Sequence, residues 1–190
     1  MKKRIFALFT AAALLCSLFA GCGNPDTGGA SSAGADADTL IVAVPEAPTY
    51  MDPQVQASIA TFRVTTQIFD RLVMMDNDMN IVPGLAESWD VVDDKTTVFH
   101  LRQGVKFHNG EEMTSEDVKY SLERCIASDG VNYNYLIIDS ITCDDDYTVT
   151  IKTKEPFNAL LPRLSLDAAS IICKNADTSP EEFNKHPVGT

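Results

Sequence analysis

The sequence lacks the short motifs that mark most enzyme active sites. It contains no Gly-x-Ser-x-Gly, no His-Glu-x-x-His and no glycine-rich phosphate loop. Only three histidines are present, His100, His108 and His186, and none has a cysteine or another histidine at the spacing of a metal site. We therefore predict that the protein is not an enzyme, carries no cofactor and holds no metal. A secreted hydrolase is the alternative of the enzyme class.

Basic residues are also scarce. The 190 residues include 15 Lys and Arg against 27 Asp and Glu, which gives a formal net charge of −12 at pH 7. This balance argues against a nucleic-acid partner, because phosphate binding requires clustered Lys and Arg. A strongly acidic surface instead keeps a secreted domain soluble and says little about its fold.

Cysteines are too few and too irregularly spaced for a disulfide framework or a zinc site. Two of the five fall within the first 22 residues, and the others are Cys125, Cys143 and Cys173. No Cys-x-x-Cys pair occurs, and the remaining number is odd. We expect these three thiols to be buried as small hydrophobic groups. Oxidation of one pair among them outside the cell remains an open alternative.

A hydrophobic run long enough to span a membrane is missing, but a shorter one lies near the N-terminus. Three basic residues at 2–4 precede a mainly apolar stretch of 15 residues at 5–19, which predicts a secretory signal peptide over residues 1–21. The run ends in Leu18-Phe-Ala-Gly-Cys22, which resembles the bacterial lipobox, although Phe19 stands where Leu is usual. That resemblance implies that Cys22 is diacylated and becomes the mature N-terminus. The alternative is an ordinary signal with a cysteine there by chance.

The segment after this run is small and polar. Residues 22–38 are rich in Gly, Ala, Ser and Asp and show no hydrophobic period, so they cannot bury enough apolar surface to fold. We predict a flexible tether over residues 22–38 and a single folded domain over residues 39–190. The chain is long enough for one domain with a real core and too short for two large ones.

The predicted domain begins with an apolar run and a proline-rich loop. Residues 40–44 are Leu-Ile-Val-Ala-Val, the pattern of a strand that is buried on both faces. The loop at 45–53 contains three prolines, which favour an extended and irregular path. Loops that leave central strands commonly hold ligands in α/β folds. The candidate ligand-binding residues are therefore Thr49, Tyr50, Met51, Asp52 and Gln54.

The best-specified local structure lies at residues 97–126. Alternating residues predict a half-buried strand with the apolar side chains of Phe99 and Leu101 on one face. Asn109-Gly110 predicts a sharp turn, and Thr114-Ser-Glu-Asp117 predicts a capping box at the start of a helix. That helix carries an apolar stripe suited to packing on a sheet, formed by Val118, Leu122, Cys125 and Ile126.

Similar patterns occur along the rest of the chain. We predict a helix from Ser58 to about Arg71 and a short helix or turn at residues 158–166. The other predicted strands lie at residues 89–95, 96–102, 137–143, 147–152 and 168–174.

Acidic residues in two turns raise the question of a bound cation. Asp76, Asp78, Asn80 and Glu87 occupy positions 1, 3, 5 and 12 of a calcium-loop pattern, but Ile81 stands where that loop requires Gly. Asn and Asp satisfy the backbone of a turn by themselves, so we predict a polar hairpin turn there. The three acids at 144–146 are likewise predicted to form a solvated turn.

Three separated segments resemble one protein family, in the same order. Residues 83–89 read Pro-x-Leu-Ala-x-Ser-Trp, residues 101–124 contain Leu-Arg-Gln-Gly-Val-Lys-Phe-His-Asn-Gly and the capped helix, and residues 145–157 read Asp-x-Tyr-Thr-Val-x-Ile before Pro-Phe. These segments resemble the family 5 extracellular solute-binding proteins, which are the oligopeptide-, dipeptide- and nickel-binding components of ABC importers.

The resemblance implies a fold. It implies an α/β domain in which a mixed sheet with packed helices forms part of lobe I of a two-lobed periplasmic-binding-protein-like (class II) fold. Family members are far longer than this chain, so we expect residues 39–190 to be the N-terminal part of that lobe. The two lobes are expected to close around an extended ligand by a hinge motion.

The resemblance also implies a function. We expect a substrate-binding lipoprotein of an ABC-type peptide importer, which captures extracellular oligopeptides and dipeptides and delivers them to the permease subunits in the membrane. The protein is expected to be monomeric, exported, and anchored through Cys22 at the outer face of the bacterial cytoplasmic membrane. The alternatives are a nickel-chelate or other small-solute binder on the same scaffold, and a lipid-anchored surface interaction module.

Overall fold

Six strands and four α-helices occur in residues 40–55 and 58–190, which the computed structural model describes. The strands are β1 (Val73–Met75), β2 (Ile81–Pro83), β3 (Ala86–Val91), β4 (Thr96–Leu101), β5 (Ile138–Asp145) and β6 (Thr148–Thr153). The helices are α1 (Ile59–Thr65), α2 (Ser115–Ala127), α3 (Leu160–Leu164) and α4 (Pro180–Lys185), with short 3-10 turns at Asn132–Asn134, Asp167–Ala169 and Lys174–Ala176. None of these helices is both long and apolar enough to cross a bilayer.

The chain divides into two units, Met1–Ala43 and Val44–Thr190. All the helices and strands just described belong to the second unit. The predicted signal peptide at 1–21, Cys22 and the predicted tether at 22–38 lie outside the described residues. Those assignments therefore stay predictions.

A four-stranded antiparallel sheet in the order β3-β4-β6-β5 organises the second unit. β4 pairs with β3 on one side and with β6 on the other. Along β4, Thr97, Phe99 and Leu101 are buried, whereas Val98 and His100 between them are half-buried. This alternation confirms the predicted half-buried strand. β1 and β2 form a separate two-stranded antiparallel pair.

Helix α2 packs against β5 and β6 and begins at the predicted cap. The backbone N–H of Thr114 donates to the carboxylate of Asp117 at 3.0 Å, as the capping box requires. The side chains of Val118, Leu122 and Cys125 on its inner face are fully buried. The sequence prediction for this helix is therefore confirmed in both its start and its buried stripe.

The Asn-Gly turn before α2 is also confirmed. Gly110 has a φ of +88°, a left-handed conformation that glycine adopts without a steric penalty. The side-chain oxygen of Asn109 accepts the backbone N–H of Glu111 at 3.0 Å, which fixes the path of the turn. The strand, turn and capped helix thus form in the order in which their signals occur in the sequence.

The acidic segment after β1 is the predicted polar hairpin turn. The Asp76 carboxylate accepts the backbone N–H of Asn80 at 2.8 Å and that of Asp78 at 2.9 Å. These hydrogen bonds lower the pKa of Asp76, and the bond from the Asn80 backbone has the largest effect. In the part of the chain that the structure describes, no group of three His, Cys, Asp or Glu side chains is placed to hold a metal ion.

The three cysteines of the folded part differ in exposure. Cys125 and Cys173 are buried and Cys143 is half-buried, and all three are free thiols. Burial raises the pKa of the Cys125 thiol to about 12, so the unreactive protonated form persists at neutral pH. The expectation of buried small hydrophobic groups is confirmed for Cys125 and Cys173.

The α/β fold class is confirmed, and so are the predicted hairpins. β3 and β4 form the first hairpin and β5 and β6 the second, and α3 is the predicted short helix. Every strand pairing among the described residues is antiparallel.

The prediction of a buried strand at residues 40–44 is wrong for this structure. No strand is formed there, and Leu40, Ile41, Val42 and Val44 are exposed. An apolar run becomes a strand only where a neighbouring strand accepts and donates its backbone hydrogen bonds. Among the described strands, none pairs with this run.

Two other boundaries also differ from the prediction. Helix α1 ends at Thr65 rather than near Arg71, because Val64, Thr65 and Thr66 are β-branched and the next N–H groups bond in short turns. In the predicted strand at 168–174, residues 168–173 are buried and Lys174 is exposed, and no strand is formed. Ile172 instead donates its backbone N–H to a side chain, the hydroxyl of Ser121 at 3.0 Å.

Candidate functional site

The five predicted ligand-binding residues fall into two groups in the structure. We call residues 49–55 the candidate loop. Thr49 and Tyr50 are exposed and Met51 is half-buried, whereas Asp52 and Gln54 retain only 2% and 0% of their accessible surface. The first three can therefore meet a molecule from solution, while the other two face the interior.

The carboxylate of Asp52 is paired with an arginine of the same chain. It accepts hydrogen bonds from both terminal nitrogens of Arg124 on helix α2, one of them at 3.0 Å. The same carboxylate accepts the backbone N–H of Gln54 at 2.9 Å. A buried carboxylate needs such partners, because an unpaired charge in the interior is strongly unfavourable.

Gln54 ties the candidate loop to two other segments. Its amide nitrogen donates to the backbone carbonyl of Ser121 at 3.2 Å and to that of Ser170 at 3.1 Å. Its amide oxygen accepts from Arg124 at 2.9 Å, and its backbone carbonyl accepts from the hydroxyl of Ser128. Every polar atom of this buried side chain therefore has a partner, as native interiors require.

Arg124 is the centre of this network. Besides Asp52, Arg124 forms an ion pair with Asp177, with 2.8 Å between its Nε and the carboxylate, and its guanidinium carbon lies 5.4 Å from the centroid of the Phe183 ring. Burial acts to lower the pKa of Arg124, but the hydrogen bonds and charge of Asp52, followed by the charge of Asp177, raise it above its ordinary value. The guanidinium is thus a permanent cation with two carboxylates and an aromatic face around it.

The network continues beyond Arg124 to helix α4. The hydroxyl of Tyr120 donates to Asp177 at 2.7 Å, and burial, together with that carboxylate, raises the pKa of Tyr120. Phe183 of α4 stacks on Phe69 with 5.9 Å between ring centroids. Met51 of the candidate loop donates its backbone N–H to the side-chain oxygen of Asn184. The candidate loop and α4 are therefore linked to each other directly, through Met51 and Asn184, and indirectly, through Arg124.

A groove of about 320 Å³ lies between the candidate loop and α4. We call it the Tyr50 groove, and it is lined by Tyr50, Asp52, Val55, Pro180, Glu181, Asn184 and Lys185. Lys185 and Glu181 form an ion pair of 2.7 Å at its rim. The groove offers apolar walls and polar rim groups but no activated nucleophile, which suits reversible binding of a small molecule.

Sequence reasoning missed the residues that hold this site together. Arg124 lies 72 residues from Asp52 in the chain, so no local pattern links the two. Helix α4 could have been found, because Ser179 caps it and Pro180 occupies its first turn. Its role beside the candidate loop depends on the tertiary fold and has no signal in the sequence.

Two of the three histidines, His100 and His108, make contacts within the fold. His100 pairs with Asp90 at 2.9 Å on the exposed side of the sheet. His108 donates its backbone N–H to the carbonyl of Gly189 at 2.8 Å, which joins the turn to the end of the chain segment described. Neither histidine contributes to the Tyr50 groove.

Comparison with known proteins identifies relatives of this chain. The chain is 31% identical over 188 residues to the dipeptide-binding protein of Escherichia coli, covering 84% of this chain and 35% of that protein. The periplasmic binding protein DppA of Helicobacter pylori, solved in complex with the peptide STSA, is 32% identical with a TM-score of 0.67, over 76% of this chain and 34% of that one.

A further solved structure binds a different kind of solute. AgaA of A. tumefaciens, solved in complex with agropinic acid, is 36% identical with a TM-score of 0.68, over 75% of this chain and 30% of that one. The chain thus spans about a third of the length of the proteins it matches.

The family comparison covers more than half of the chain. The family described as "Bacterial extracellular solute-binding proteins, family 5 Middle" matches residues 80–190, which include the main sheet, helix α2 and helix α4. The matched range also contains all three sequence segments that resembled this family and part of the network around Arg124. The chain belongs to the bacterial extracellular solute-binding proteins of family 5.

Proposed function

We propose that this chain is part of the solute-binding protein of an ABC-type importer and that its solute is a peptide. The proposal is supported by the dipeptide-binding relative and by the peptide complex of the DppA structure, both of which share at least 31% of the aligned residues. Family 5 members act in transport, so a hydrolase is the weaker alternative. A surface interaction module has no specific support in the described residues.

The candidate loop is the part of the chain that we propose contacts the solute. The observation that carries this proposal is the division of the loop into an exposed edge, Thr49, Tyr50 and Met51, and a buried base, Asp52 and Gln54. A binding surface gains affinity when its side chains are held in place before the ligand arrives. Asp52 and Gln54 are thus assigned the role of support, and the three outer residues the role of contact.

The chemistry of the loop suits a peptide of variable sequence. Tyr50 and Val55 supply apolar surface to the Tyr50 groove, and Asn184 and Lys185 supply polar groups at its rim. Main-chain groups of an extended peptide can be held by backbone hydrogen bonds, while its side chains enter grooves of modest selectivity. Such an arrangement captures many short peptides without requiring one sequence.

We also propose where the protein works and with which partners. Residues 1–21 are proposed to be a signal peptide, Cys22 a lipid anchor, residues 22–38 a tether, and residues 39–190 the N-terminal part of lobe I. The protein would then be monomeric, held at the outer face of the cytoplasmic membrane, and would pass its solute to ABC permease subunits there. Lipid anchoring and a tether keep a binding protein close to its membrane partner.

Calorimetric titration of the native protein tests the role of the candidate loop. Dipeptides and tetrapeptides are titrated into the wild type, Tyr50→Ala, Met51→Ala and Met79→Ala. Met79 is an exposed methionine on the hairpin turn and serves as the control. We expect Tyr50→Ala to weaken binding about tenfold, as for an aromatic contact residue, and Met79→Ala to leave it unchanged. Unchanged affinity in both loop variants would exclude the loop as the contact surface.

The nature of the solute requires a separate measurement. The AgaA complex favours a small organic acid as the second candidate, because its sequence identity is as high as that of the peptide-binding relatives. Native mass spectrometry of the gently purified protein gives the mass of the solute that co-purifies. A peptide mass supports the proposal, and a single non-peptide mass that exchanges with agropinic acid supports the alternative.

A further inference from the structure

One guanidinium joins the two walls of the Tyr50 groove. Arg124 binds Asp52, which belongs to the candidate loop, and Asp177, which lies three residues before α4. The same side chain reaches Gln54 at 2.9 Å on the loop side and lies over the ring of Phe183 on the α4 side. A single residue of helix α2 therefore contacts the segments that form both walls of the groove.

The two carboxylates depend on this cation. The side chains of Asp52 and Asp177 are exposed by only 2% and 9%. Among the described residues, Arg124 is the one basic side chain that pairs with either of them. Without it, two buried negative charges would face each other with no compensating cation, and the interior penalises such an arrangement strongly. Their separation would then increase, and the walls that carry them would move apart.

The geometry also requires a planar fork rather than a positive charge alone. Both terminal nitrogens of Arg124 donate to the carboxylate of Asp52, and the same guanidinium forms an ion pair with Asp177 at 2.8 Å. A lysine carries a single ammonium group on a flexible stem and cannot bind both carboxylates with that fixed separation. Arginine therefore sets a distance between the loop and α4 that lysine would not reproduce.

We propose that Arg124 is a positioning residue for solute binding, which fixes the separation between the candidate loop and helix α4 and thereby the width of the Tyr50 groove. The inference rests on the proposed role of the candidate loop as the solute-contacting surface. Arg124 itself lies beneath the groove and acts through Asp52 and Asp177. Its contribution is to keep the groove open at one width before the solute arrives, which favours binding by preorganisation.

A matched ion pair elsewhere in the same unit provides the control. Arg71 pairs with Asp167 and donates to the backbone carbonyl of Ser165 at 3.3 Å. In the described structure, neither Arg71 nor Asp167 contacts the candidate loop or lines the Tyr50 groove. Replacing Arg71 by lysine perturbs another buried arginine–aspartate pair, in which a single guanidinium nitrogen makes both contacts, at a site that does not line the groove.

The experiment compares affinity and stability in Arg124→Lys and Arg71→Lys of the native protein. Both variants are expected to melt at lower temperature than the wild type. The ligand is the peptide that binds the wild type most tightly. Only Arg124→Lys is expected to weaken its binding, by about tenfold or more. Amide exchange at residues 49–55 in the unliganded protein should also accelerate in Arg124→Lys alone. Equal affinities in Arg124→Lys and the wild type would overturn the proposal.

Two further variants keep the outcome decisive. If Arg124→Lys does not fold, Asp52→Asn removes the charge of the loop-side partner while leaving Asp177 paired, and it should weaken binding more than Asp167→Asn does. Tyr50→Ala, titrated alongside, separates the two proposals. Weaker binding in Tyr50→Ala with unchanged binding in Arg124→Lys overturns the positioning role alone. Unchanged binding in both variants overturns the role of the loop as well.

Discussion

The side-chain amide of Gln54 donates a hydrogen bond to the backbone carbonyl of Ser121, 67 residues further along the chain, at 3.2 Å. Gln54 belongs to the candidate loop and Ser121 to the middle of helix α2. The contact is fully buried. The candidate loop is thus hydrogen-bonded to a helix that packs on the main sheet. This contact holds the exposed residues of the loop in place.

Replacing Gln54 by leucine should destabilise the folded protein. The change keeps the size of the side chain but leaves the carbonyls of Ser121 and Ser170 without their donor. We expect a loss of about 2 kcal/mol in the free energy of unfolding, since a buried group left unsatisfied costs roughly 1 to 3 kcal/mol. Chemical denaturation measures this loss. Gln67→Leu, at an exposed glutamine, is the control, and an equal effect of both changes would contradict the prediction.

Gly84→Ala tests the close approach of two backbone segments. A Cβ atom at Gly84 would lie 2.3 Å from the carbonyl oxygen of Arg71, so the backbone must shift. We expect a loss of about 3 kcal/mol, the upper end of the range for overpacking. At Gly104, with φ +73°, a Cβ would meet no atom within 4 Å, and its backbone conformation alone should cost about 1 kcal/mol. Thermal unfolding of both variants shows which substitution destabilises the protein more. A larger loss of stability in Gly104→Ala than in Gly84→Ala would refute this reasoning.

The pKa of Glu112 should depend on Tyr147. The hydroxyl of Tyr147 donates to the Glu112 carboxylate at 2.6 Å, and this bond, followed by that from the Gly104 backbone, lowers the pKa of Glu112 below 4.5. Tyr147→Phe should return the pKa of Glu112 toward 4.5, as followed by NMR titration of the side-chain carboxyl. Tyr133→Phe, at an exposed tyrosine, should leave it unaltered.

The same bond predicts a direction for stability against pH. The folded-state pKa of Glu112 is lower than its unfolded value, so the bond stabilises the fold above the unfolded pKa. Its contribution is lost as the pH falls through the folded-state pKa. The difference in stability between the wild type and Tyr147→Phe should therefore shrink on acidification. A difference that grows below pH 4.5 would contradict this assignment.

Cys22→Ser tests the proposed lipid anchor. The substitution removes the thiol to which an acyl chain would be attached, and each buried methylene of such a chain contributes about 0.8 kcal/mol to membrane binding. We expect the variant to leave the membrane fraction and to lose incorporation of labelled fatty acid. Cys16→Ser, within the predicted signal peptide, is the matched control and should retain the label. Retention of label in Cys22→Ser would show that this cysteine is not the anchor.

The parts of the fold that the sequence predicts well are those whose signals are local. The alternation along β4, the Asn109-Gly110 turn and the box between Thr114 and Asp117 each depend on residues within one turn or one strand. Their partners lie at fixed offsets in the chain, so a pattern of two or four residues is enough to identify them. These elements were predicted with nearly the observed bounds.

The remaining features depend on distant parts of the chain. Residues 40–44 read as a buried strand because they are apolar, but a strand also needs a paired neighbour, and that requirement is not visible in the run itself. Arg124 lies on a helix whose spacing predicts only an apolar stripe and a solvated face. Its pairing with Asp52 and Asp177 arises when three separated segments meet in the folded unit.

Amide hydrogen exchange of the native protein, with and without the peptide that binds most tightly, tests most directly whether the candidate loop contacts the solute. If Thr49, Tyr50 and Met51 form the contact surface above Asp52 and Gln54, the backbone amides of residues 49–55 become protected from exchange when the solute binds. Protection elsewhere in the protein, with exchange at residues 49–55 unchanged at saturating solute, would contradict the proposed site.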